Sequence, residues 1–190
     1  VRDYDDKLSD PSLEAEAKRE EKTAAFVERL KGLDPEEMSA EDRVNYKLLL
    51  LNLENDLEAA QFGGKYFLMS NRYGPHTTVT RLPDQLPFFT FDDYESYVAR
   101  LEAVPAYLEA AKETLRAGVE AGWTRPCEAM EGVEASIRYN IVDDANDSAL
   151  LKPFEKQPSS ISRRNWRQLK SDAADAIDDK VMPALTAFAD

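Results

Sequence analysis

Histidine and cysteine are almost missing from this sequence: among 190 residues there is one of each, His76 and Cys127. A lone cysteine forms no intrachain disulfide and builds no thiolate metal cluster. A lone histidine removes His-Glu-x-x-His zinc sites, paired-His sites and most Ser/His/Asp arrangements from what the chain does unaided. No apolar run exceeds four residues, as at Leu48 to Leu51, against the roughly 18 that a membrane-spanning helix needs. Convincing period-two runs and internal repeats are missing too, and without a strand a Gly-rich phosphate loop has no setting. The sequence opens at Val1 with neither Met nor a basic-then-apolar leader, so it reads as a processed or excised piece.

What is present is globular in composition, 43% hydrophobic and 32% charged, at a length that suits one domain or two small ones. Acidic residues number 37 against 24 basic ones, a formal net charge of -13. That field repels phosphate backbones and anionic membrane surfaces, so nucleic acid is not an expected partner. The acidity reads first as a solvated surface.

The periodicity is helical throughout. Asp10-Pro11 reads as an N-cap with proline at the first helical position, and Phe26, Leu30 and Leu33 continue the pattern to a stop at Gly32, giving a helix over about 11–31. Ser39 with Asp42 approximates a capping box before Val44, Leu48 and Leu51. Leu49, Leu50, Leu53 and Leu57 widen the stripe, so a helix over about 40–61 should be packed on two sides. From about 62 to 89 the sequence holds Gly63-Gly64, Gly74-Pro75, Pro83 and Pro87, which reads as one long loop; its many aromatic and aliphatic residues argue that it is ordered. Thr90 caps the next helix, with Asp92 and Asp93 in its first turn, and Pro105 predicts a hinge-like break near Val104. Met130, Val133, Ile137 and Ile141 mark a fourth helical segment. Trp166, Leu169, Ala173, Ile177, Val181 and Leu185 stripe a last one that starts near Ser162 and kinks at Pro183. The fold class is therefore all-α: a single helical region over 1–190, a bundle of about five kinked helices with one long ordered loop and no significant sheet.

Chemistry-bearing residues are few. His76, in Arg72-Tyr73-Gly74-Pro75-His76-Thr77-Thr78, either touches a substrate or bonds the backbone of a tight loop; an enzyme using it with Asp84 or Glu95 is the weakest functional reading. Asp143, Asp144, Asn146 and Asp147 offer oxygens but lack the EF-hand Gly and Glu, and read as a solvated helix end. Arg163, Arg164, Arg167 and Lys170 form a basic cluster that either binds an acidic groove or pairs with the chain's own carboxylates. No catalytic residue and no metal ligand is assigned, and no cofactor is expected in this chain.

Read as a string, the chain resembles a known family. Asp3-Tyr4-Asp5-Asp6-Lys7-Leu8 and the run Leu33-Asp34-Pro35-Glu36-Glu37-Met38-Ser39-Ala40-Glu41-Asp42-Arg43-Val44-Asn45-Tyr46 are similar to the N-terminal part of the large bacterial family called domain of unknown function 885. Gly74-Pro75-His76, Leu86-Pro87-Phe88, Asp93-Tyr94-Glu95-Ser96-Tyr97, Val104-Pro105-Ala106-Tyr107-Leu108, Leu150-Leu151-Lys152-Pro153-Phe154 and Val181-Met182-Pro183-Ala184 follow in order. The resemblance implies a longer parent similar to helical zinc metallopeptidases, with zinc held by His-Glu and Gly-His-His elements in a C-terminal catalytic part. None of those elements occurs here. It implies that this chain forms a non-catalytic wall or lid of a cleft for a peptide-like substrate, with Gly74, Pro75 and His76 substrate-facing, in a periplasmic or secreted (lipoprotein) setting. The residues alone leave a stand-alone helical interaction module and a cytoplasmic setting open.

Overall fold

Ser12 rather than Asp10 starts the first helix. In the computed structural model, which describes residues 2–190, the Ser12 hydroxyl accepts the Ala15 N–H at 3.1 Å and helix α1 runs Leu13–Lys31. Ser39 caps α2, Ala40–Ala59, in the same way, accepting from Asp42 N at 3.1 Å. Each hydroxyl satisfies one of the donors that a helix N-terminus leaves without a partner. One further 3₁₀ turn, Ala60–Phe62, carries α2 to Gly63, whose φ of 69° closes it.

The chain forms two compact units. One comprises Pro11–Phe67 with Thr114–Thr124. Here α1 and α2 form a helical hairpin, and the Thr114 hydroxyl donates to the Pro11 carbonyl at 2.9 Å. Trp123 lies over Gly63 and meets Phe67 edge-on at 6.2 Å between ring centroids.

The other unit comprises the residues up to Asp10 with Leu68–Glu113 and Arg125–Asp190. It contains α3 (Pro75–Thr80), α4 (Leu82–Gln85), α5 (Phe91–Glu120, as far as Glu113), α6 (Val133–Arg138), α7 (Arg163–Ala176) and α8 (Met182–Ala189). Its core runs along α5, where Tyr97, Leu101, Val104 and Leu108 are buried, and takes in Phe154, Ile177, Val181 and Leu185. Tyr94 packs at 5.1 Å between ring centroids from both Phe154 and Trp166. The Tyr97 hydroxyl donates to the Leu150 carbonyl at 2.7 Å, which gives a buried phenol the partner it requires.

The all-α class holds: among the described residues there are eight α-helices and no strand, only an isolated bridge between Ser70 and Tyr73. Three departures from the sequence reading have physical causes. The stretch 62–89 contains α3 and α4, because Pro75 and Pro83 occupy the first turn of a helix, where a missing N–H costs nothing. Pro105 sits inside α5, which continues unbroken; Leu101, Val104 and Leu108 are buried beside it, and their packing offsets the helix bond and the carbonyl clearance that proline costs. The last helix divides at a π-helical turn, Ile177–Val181, where the Met182 N–H reaches back to the Ile177 carbonyl just before Pro183. The wider turn relieves the clash that Pro183 would make with the carbonyl four residues earlier.

Candidate functional site

The segment around His76 is held by its own backbone. Ser70 N donates to the Tyr73 carbonyl at 2.8 Å, and Asn71 N donates to the Ala129 carbonyl at 2.7 Å. Thr77 then closes the start of α3: its hydroxyl accepts from Gly74 N at 3.0 Å and donates to the Gly74 carbonyl at 2.8 Å. Gly74, Pro75 and His76 are all buried, His76 to 2% exposure. Gly74 is there for space: a Cβ on it would lie 3.0 Å from both Cε1 and Nδ1 of His76 and 3.1 Å from the Met69 Cβ.

The imidazole spans this packed layer. Its Nε2 lies 3.3 Å from the Ser136 hydroxyl on α6, while Nδ1 is buried with no hydrogen-bond partner. Burial pushes the His76 pKa below its ordinary value, so the ring is neutral near pH 7. No carboxylate opposes that shift. Asp84 is exposed and acts on Tyr97, while Glu95 lines a groove with Glu102, Asn165 and Asp172, so the structure does not make an acid–base pair of either with His76. Solvent is met instead by Ser136 and by Tyr73, which is 47% exposed. The Arg125 guanidinium lies 5.6 Å from the Tyr73 ring centroid and donates to the Tyr73 hydroxyl. Sequence reading missed Ser136 and Arg125, which come from segments remote in the chain; Tyr73 was within reach as the neighbour of the histidine motif.

The other candidates resolve as local structure. Asp144 accepts from both the backbone N–H and the side-chain amide of Asn146 at 2.8 Å, and these bonds hold its carboxyl below the usual range. Cys127 is free and exposed. Among the described residues no group of three or more His, Cys, Asp or Glu side chains is placed to hold a metal ion, so the residues present do not fit a zinc site.

A second candidate is a surface. No residue of α2 is buried. Arg43, Tyr46, Leu50, Leu53 and Leu57 are half-buried, whereas Val44, Leu48, Leu49 and Leu51 are 42–56% exposed. The helix expected to pack on two sides is therefore covered on one only. The stretch 63–89, by contrast, buries Met69, Val79 and Leu82 and leaves Tyr73 and Phe89 exposed. Contiguous exposed aliphatic side chains of this kind mark interaction surfaces.

A family profile described as "Bacterial protein of unknown function (DUF885)" matches residues 1–190, the whole chain. No curated protein and no solved structure matches it.

Proposed function

The chain belongs to the DUF885 family of bacterial proteins, and from that premise we propose that it is a non-catalytic helical region of a zinc metallopeptidase-like protein, forming a wall or lid of the substrate cleft. The observation that carries this reading is the apolar face of α2, with Val44, Leu48, Leu49 and Leu51 exposed in a chain that offers one histidine and one cysteine for chemistry. Zinc and its general base then come from a C-terminal catalytic part outside these residues, which docks on that face. The substrate is peptide-like, and the setting is periplasmic or secreted. Within the wall, Ser136 and the Tyr73–Arg125 pair present the polar surface toward substrate, with the buried Gly74-Pro75-His76 segment supporting it through the contact of His76 with Ser136.

Two measurements test this. The isolated chain, dialysed and analysed for metal, holds no stoichiometric zinc and hydrolyses no peptide, whereas the parent product does both. One tightly held zinc per isolated chain would overturn the proposal. The α2 face also suits a stand-alone interaction module. A parent reading frame that extends into a His-Glu-containing part favours the first reading, and a stop codon after Asp190 the second.

A further inference from the structure

Arg163, Arg164, Arg167 and Lys170 crowd the first half of α7, and all four are exposed. In a chain with 37 acidic residues, one of the two readings of this cluster was that it pairs with the chain's own surplus carboxylates. It does not: among the described residues none of the four takes part in an ion pair. The Arg167 Nε donates to the Arg163 carbonyl at 3.3 Å, a backbone contact that leaves its charge uncompensated. Lys170 shares the rim of a shallow cavity with Asp147 and Glu155 without pairing to either.

The rotation of α7 is fixed, because Trp166, Leu169, Ala173 and Ala176 are buried on its other side. Arg163, Arg167 and Lys170 recur at the spacing of one helical face and form a stripe about 10 Å long, with Arg164 beside it. The placement costs stability. Cations in the first turn face the positive end of the helix dipole and repel one another, where carboxylates would be favourable. Among the described residues no carboxylate pairs with these cations to offset that cost.

We propose that this stripe is a docking surface for an acidic segment of another protein chain. Guanidinium groups in a row match carboxylates bidentately, and a short segment brings its charge to the stripe alone. A nucleic-acid duplex or an anionic bilayer extends far beyond 10 Å and meets the field of a chain carrying -13. The surface is independent of the metallopeptidase reading.

The test is fluorescence anisotropy of the 190-residue chain with a short alanine-based peptide carrying glutamates at helical spacing. Binding is expected at low salt and is absent for the same peptide with glutamines. The triple variant Arg163→Glu/Arg167→Glu/Lys170→Glu weakens it roughly tenfold or more, the summed loss of a few exposed charge pairs. Arg163→Glu/Arg164→Glu, which removes the conflict with the dipole, raises the thermal midpoint. Failure of the chain to bind the glutamate peptide, equal binding by the triple variant, or a lowered midpoint in the double variant would overturn the proposal. So would capture of phosphatidylserine vesicles or duplex DNA through these residues.

Discussion

Trp123 lies across Gly63 so closely that a Cβ on the glycine would sit 2.3 Å from the indole Cδ2. The same glycine holds a φ of 69°, which L side chains rarely adopt. Gly63→Ala therefore meets two penalties, a backbone cost of about 1–2 kcal/mol and a collision with a ring. The expected loss in urea denaturation is about 2 kcal/mol or more. In a Trp123→Ala background the collision is gone and only the backbone cost remains, so the two substitutions should be clearly non-additive.

Asp93 is a buried carboxylate held by backbone N–H groups and by Arg2. Its side chain is 1% exposed, and burial alone would push its pKa up. The backbone N–H groups of Phe89 at 2.9 Å and Thr90 at 2.8 Å, together with Arg2, bring it down to about 2. A depressed carboxylate contributes stability that is fully present above its unfolded pKa near 4 and is lost as pH falls toward 2. Asp93→Asn should cost about 2 kcal/mol at neutral pH and flatten the acid limb of the stability–pH curve below pH 4.

His76 acts at milder pH. Burial lowers its pKa in the folded chain, so the unfolded chain takes up the proton first as pH falls through 6.5. Stability is complete above that value and declines below it. His76→Gln should remove the pH dependence in the window just below about pH 6.5 while leaving the Asp93 limb intact. A wild-type curve flat across that window would contradict the buried, neutral ring.

The parts of this fold that could be read from sequence are those decided locally. Ser39, Thr90 and Ser162 each start a helix with their own hydroxyl, and Gly32 ends one, because a cap needs only residues three or four away. The stripe of α2 was legible as helix but not as surface. Val44, Leu48 and Leu51 recur at helical spacing whether or not anything covers them, and periodicity carries no information about the partner. Pro105 was misread for the converse reason, since packing around Val104 holds a helix that the local rule would break. The contact between His76 and Ser136 joins residues 60 apart, and no spacing rule reaches that far.

The exposed face of α2 bears the central claim, and peptide hydrolysis by the parent protein with and without Leu48→Glu/Leu51→Glu tests it most directly. Both side chains are solvent-exposed, at 54% and 53%, so the isolated chain should keep its helical circular dichroism and its stability within about 0.5 kcal/mol. In the parent the same changes place two charges in an apolar contact, and activity should fall roughly tenfold or more. Undiminished activity in the doubly substituted parent would contradict the account.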